Sequence, residues 1–168
     1  MPTFLTPARR IGIPAALLIF AADQACKAWL IHGFDIAQSQ PVVVGPFLNI
    51  VMAWNPGISY SLFTAESETG RLILLGVTLA ATAFLAGWLW LVRDRLTGFG
   101  LGLLVGGALG NACDRFAYGR VADFFQLHIG AFSPFGVFNL ADTAIVAGVG
   151  LLLYKALFPG PPQAAWRV

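Results

Sequence analysis

Four apolar runs constrain this chain more than any other feature. About 20 residues rising 1.5 Å each cross a hydrocarbon core of roughly 30 Å, and runs of that length occupy residues 11–31, 72–92, 96–117 and 137–158. Composition agrees: only 11% of the 168 residues are charged and 58% are hydrophobic, whereas a soluble globular domain is about 25% charged. The expected fold is a single all-α membrane domain spanning 1–168, with four transmembrane helices. Arg9 and Arg10 precede the first run as they would in a signal peptide, but Asp23 and Lys27 interrupt it and no small-residue cleavage site follows. A retained first span is expected.

Orientation follows from where Lys and Arg collect. With four alternating spans, Arg9, Arg10, Arg93, Arg95, Lys155 and Arg167 fall on one side, read as the cytoplasm, together with both termini. The outer side receives residues 32–71 and 118–136. Within the first of these, Pro41 to Val51 is β-branched and bounded by Pro and Gly, which predicts a small β-rich periplasmic segment between the first and second spans. Trp29, Trp54, Tyr60 and Tyr118 are expected near the outer interface, and Trp88, Trp90 and Trp166 near the inner one. Basic residues are scattered along the flanks and form no patch, so a nucleic-acid partner is not expected.

Gly102, Gly106 and Gly110 recur every four residues on the third span, and Asp114 continues the row. Small residues let helix backbones approach closely in lipid. Gly76/Ala80 and Ala83/Gly87 on the second span offer a matching face. Cys26 and Cys113 sit in apolar stretches and read as small packing residues. They supply neither a disulfide framework nor a zinc site, so no metal or cofactor is expected.

Ionisable residues inside spans are costly and are functional candidates by default. Asp23 and Lys27, four apart with the acid first, suit an ion pair on one helical face. Asn111, Asp114 and Arg115 share a face at the outer end of the third span, and Asn139 and Asp142 stand three apart at the start of the fourth. Asp123 lies in the outer loop between these two ends, so Asp123 and Asp142 can come side by side with Asn111, Arg115 and Asn139 around them. Two close carboxylates cannot both ionise and share a proton near neutral pH. One acid then deprotonates a water while the other stabilises the oxyanion, as in an aspartic protease. The competing reading is a proton- or ion-coupled transporter lined by intramembrane carboxylates. Clustering of the acids at one surface, with no repeated halves, weighs against it. His32 and His128 lie in outer segments and read as solvated or capping residues.

Five motifs add a resemblance: Asp23-Gln24-Ala25-Cys26-Lys27, Asn55-Pro56-Gly57, Gly110-Asn111-Ala112-Cys113-Asp114-Arg115, Val121-Ala122-Asp123-Phe124 and Phe138-Asn139-Leu140-Ala141-Asp142. In this order they resemble lipoprotein signal peptidase, or signal peptidase II. The resemblance implies a bacterial inner-membrane aspartic endopeptidase, a globomycin target, that removes the signal peptide of diacylglyceryl-modified prolipoproteins before the lipidated cysteine. It implies Asp123 and Asp142 as catalytic residues. Asn111, Arg115 and Asn139 would support dyad and substrate, Asp114 would brace the same helix end, and Asn55 and Gly57 would belong to an outer segment near the site. Asp23 and Lys27 would carry the first-helix motif. Ser59 and Tyr60 depart from the family's more usual Ala and Phe, which alters contacts and leaves the chemistry in place. Membrane lipid and the prolipoprotein are the expected partners, the enzyme being a monomer without cofactor.

Overall fold

The computed structural model describes residues 5–57, 67–130 and 132–158; Ser59, Tyr60, Trp166 and Arg167 lie outside them. Helix α1 (Pro7–Ala28) continues as a π-helical turn, Trp29–Gly33, and a short α2 (Ile36–Ser39) follows. Strands β1 (Val42–Gly45) and β2 (Leu48–Asn55) lead to α3 (Glu68–Leu91) and α4 (Arg95–Tyr118). The described residues continue through β3 (Val121–Leu127) and β4 (Val137–Phe138) to α5 (Leu140–Leu157). Four of these helices are long and apolar enough to cross a membrane.

Local sequence sets the helix ends. Thr6, Ser67 and Asp94 each accept a hydrogen bond from the third residue onward, Arg9, Gly70 and Thr97, satisfying an amide that the helix start would leave unpaired. Helix α4 stops where Gly119 turns left-handed at φ 70°, a conformation that only glycine adopts without strain. The fourth span starts later than its hydropathy predicts. Val137 and Phe138 are as apolar as a span needs, but they pair with β3, and the helix begins only after the Asn139 cap.

Helix α4 is the central helix, packed on α1, α3 and α5. Its glycine row faces α1 rather than the second span. A β-carbon on Gly98 would meet Ala8, one on Gly102 would meet Gly12, and one on Gly106 would meet Ala16, the two chains rising in parallel. A second row, Gly100 and Gly107, meets Gly148 and Ala141 of the antiparallel α5. The predicted match with α3 is therefore wrong: a β-carbon added to Gly76 or Gly87 would meet no atom within 4 Å, and Ala80 and Ala83 are exposed. Helix α3 instead packs through larger side chains, Leu85 and Leu89 meeting a cluster with Leu101 and Leu104. Its other faces leave Leu72, Ile73, Val77 and Phe84 uncovered.

The four strands form one antiparallel sheet in the order β1-β2-β3-β4. Two of its strands, β1 and β2, lie in the segment between the first two spans where strands are expected, and the other two, β3 and β4, come from the segment before α5. Its β2–β3 register sets Ala53 against Asp123 and Asn55 against Val121. Successive strand residues point to opposite faces. Ala122 and Phe124 pack on Leu30 and Ile36, which leaves Asp123 on the other face. Cys26 packs against the edge of that cluster, and both cysteines are free thiols.

Candidate active site

The glycine row of α4 ends in charge. Its next members, Gly110 and Asp114, meet Asp23 and Lys27 of α1. Lys27 Nζ lies 2.7 Å from Asp23 Oδ2 and 2.9 Å from Asp114 Oδ2, with all three side chains at most 5% exposed. Breaking such a buried pair costs about 3–5 kcal/mol, because a desolvated charge is left without a partner. The two carboxylates also hold backbone. Ala141 N donates to Asp23 Oδ1 at 3.0 Å, and Ala122 N donates to Asp114 Oδ2 at 3.1 Å. The cluster thereby fixes the first turn of α5 and the start of β3 to the α1–α4 pair.

Those two backbone segments carry Asp142 and Asp123. Asp142 is the third residue of α5 and makes a reciprocal cap with Asn139: its amide donates to Asn139 Oδ1 at 2.9 Å, and Asn139 N donates to its Oδ2 at 3.2 Å. Asn139 is buried, and its Nδ2 donates to Asp123 Oδ1 at 2.7 Å. Asn55 Nδ2 donates to the other oxygen of Asp123 at 3.2 Å, and Asn111 Nδ2 donates to Asp142 Oδ1 at 2.8 Å. Three asparagines thus aim amide N–H groups at two carboxylates, one of them, Asn139, bonded to both residues.

Asp123 is 2% exposed. Burial first, and then the neighbouring Asp142 carboxylate, push it up to about 7, against the Asn55 and Asn139 donors and the Lys27 charge, which favour its ionised form. Near neutral pH the carboxylate pair therefore retains a proton. Arg115 stands beside it. Its Nη1 donates to Asn111 O and its Nη2 to Gly57 O, each at 3.3 Å, while its buried Nε–H has no partner among the described residues. Arg115 thus ties α4 to the turn after β2, whose shape is held by Gly57 N donating to Asn55 Oδ1 at 3.1 Å.

The ten residues read from the sequence as site candidates meet in one connected network: Asp23, Lys27, Asn55, Gly57, Asn111, Asp114, Arg115, Asp123, Asn139 and Asp142. Gln24, to which the sequence pattern assigns no role, joins them. Its Nε2 lies 3.2 Å from each of Asp23 Oδ2, Gly110 O and Asp114 Oδ1, which adds an amide donor to the charged cluster. The signal is present in the sequence, since an amide inside an apolar run needs a buried partner. His128 stays apart, its Nδ1 3.2 Å from Gly130 O.

Comparison with known proteins points one way. A family model described as signal peptidase (SPase) II matches residues 15–158. A lipoprotein signal peptidase of Methylocella silvestris is 57% identical over 150 residues, covering 89% of this chain and 87% of that protein. One of Beijerinckia indica is 55% identical over 148 residues, with 88% of each chain covered. A bacterial membrane enzyme solved by the in meso method at 2.3 Å has the same fold, with TM-score 0.77, 24% identity, and coverage of 94% of this chain and 93% of that one.

Proposed function

Since the chain belongs to the signal peptidase II family, a protease that cleaves lipoprotein signal peptides, we propose that it works as an aspartic endopeptidase with Asp123 and Asp142 as its dyad. Membership of a peptidase family displaces the transport reading. The observation that carries the dyad is the buried Asp123 carboxylate and the half-buried Asp142 carboxylate, both held by Asn139 and met by amide donors, with Asp123 raised to about 7.

The chemistry follows from that proton count. In this reading Asp123 carries the proton that the pair retains, and Asp142 serves as the base. Asp142 takes a proton from a water as the water oxygen bonds to the scissile carbonyl carbon, and Asp123 donates its proton to the carbonyl oxygen, giving a neutral tetrahedral diol. On collapse the acid at 142 protonates the leaving nitrogen, the C–N bond breaks, and a diol proton returns to Asp123. The amides of Asn111 and Asn55 hold the carboxylates in place, so little reorganisation accompanies the step.

The substrate in this reading is a diacylglyceryl-modified prolipoprotein cut before its lipidated cysteine. Incubating the purified enzyme with such a substrate should release the signal peptide at that bond, read by mass spectrometry. EDTA should not slow it, because carboxylates, amides and a guanidinium at this spacing are not a transition-metal ligand set. Cleavage at another bond, or zinc-dependent recovery after EDTA, would overturn the reading.

The site is proposed to open at the periplasmic surface, with both termini in the cytoplasm. The basic ends support one shared inner side: the Arg9 guanidinium lies 4.2 Å over the Trp90 ring, and Lys155 Nζ is 3.4 Å from Asp94. Membrane lipid is then the cover for the apolar surface of α3, and the enzyme acts as a monomer. Cysteines placed at Gln38 and Ser133 should react with an impermeant reagent added to intact spheroplasts. Protection of either until permeabilisation would invert the topology.

A further inference from the structure

The dyad is surrounded by side-chain amides, and an amide can present either its oxygen or its nitrogen. Which one it presents decides whether a neighbouring carboxylate is favoured ionised or protonated. The chemistry of the partners fixes each choice here. A backbone N–H only donates, so Asn139 turns its oxygen to Asp142 N and its Nδ2 to Asp123, and Asn55 turns its oxygen to Gly57 N and its Nδ2 to Asp123.

Asn111 has no such backbone anchor. Its Oδ1 accepts from Lys27 Nζ at 3.3 Å and from Asn139 Nδ2 at 3.1 Å. Asn139 cannot hold it alone, because two N–H groups there face three acceptors, Asp123 Oδ1, Asn111 Oδ1 and Ala122 O. An ammonium only donates. With Lys27 in place, Asn111 can meet Asp142 only with its Nδ2.

We propose that Lys27 is a positioning residue for peptide cleavage: by binding Asn111 Oδ1 it fixes the amide so that Nδ2 donates to Asp142, keeping that acid the ionised proton acceptor. Lys27 touches neither acid of the dyad. The inference rests on the dyad reading above. The ionisable groups facing Asn111 and Asp142 are Asp23 and Lys27 from α1, Asp114 and Arg115 from α4, and Asp123 from β3, among the described residues. Without Lys27 the freed Asp114 would attract Asn111 Nδ2, the oxygen would face Asp142, and only a protonated acid can donate to it.

Removing Lys27 alone would change charge and orientation together, so charge is held constant. The wild-type cluster of Asp23, Asp114 and Lys27 carries one net negative charge, and Asp23→Asn/Lys27→Met carries the same through Asp114. Asp23→Asn alone keeps the Lys27 donor but makes the cluster neutral. Turnover of a diacylglyceryl-modified substrate is measured from pH 4 to 9 for all three. The acid limb of the kcat profile should move about one pH unit higher in Asp23→Asn/Lys27→Met, with KM unchanged. Asp23→Asn should stay at the wild-type position or below it. A double variant whose acid limb superimposes on that of wild type would overturn the proposal. Lys27→Met alone, which keeps both carboxylates, gives a second test if the double variant does not fold: its acid limb should also move higher, and an unmoved limb would overturn the proposal. Failure of the dyad reading would look different, since Asp142→Asn would then retain turnover.

Discussion

Asparagine in place of Asp123 or Asp142 is expected to lower turnover of a lipidated substrate by about 10⁴-fold or more, and the double variant should be no slower than either single. Groups that act in one step are non-additive in this way, because losing one already removes the mechanism. Independent contributors would instead multiply their losses. The folding control has a sign of its own. Asp123 ordinarily ionises at 3.8 and in the fold at about 7, so between those values the folded protein keeps a proton that the unfolded chain has lost. Stability therefore falls as pH rises through that window, and the full cost is present above it. Asp123→Asn removes this cost. In detergent it should unfold at a higher temperature than wild type at pH 8, with the advantage gone near pH 4. A folded single variant with substantial activity would remove the pair from catalysis.

The same burial explains which parts of the site could be read in advance. Asp23 and Lys27 are legible because an i, i+4 pair inside an apolar run has one economical arrangement, and the structure makes that ion pair. Asn139 and Asp142 are legible for the same reason, their spacing being that of a reciprocal helix cap. The third member of that cluster is not, since Asp114 lies far along the chain and reaches Lys27 only through the glycine row. Strand β3 escaped because Val121, Ala122, Asp123 and Phe124 are all buried, on opposite faces. A strand covered on both sides shows no alternation. The second-span glycines misled because small residues mark a possible close approach without saying which helix approaches. Their counterparts were on α1 and α5, where Gly12, Ala16, Ala141 and Gly148 accept the α4 backbone.

That arrangement makes Gly102 and Gly106 the positions where the smallest substitution should do the most damage. A β-carbon on Gly102 would stand 2.9 Å from Gly12 Cα and nearer still to its carbonyl oxygen; one on Gly106 would stand 2.5 Å from Ala16 O. Both obstacles are backbone, which cannot rotate aside, so helix α1 must move away from α4. Overpacking of this kind costs about 3 kcal/mol when the neighbour cannot yield. Displacement is also transmitted, since Asp114 lies on the same row about 18 Å along the helix from Gly102 and meets Lys27 at 2.9 Å. Gly102→Ala and Gly106→Ala should therefore lower the unfolding temperature in detergent and reduce turnover together. Gly76→Ala is the matched control, because it adds the same methyl group on α3 where nothing lies within 4 Å. It should leave both readouts near wild type. Equal unfolding temperatures for Gly102→Ala and Gly76→Ala would show that α1 and α4 are not in backbone contact, and the Asp23–Lys27–Asp114 cluster would lose the packing that aligns it.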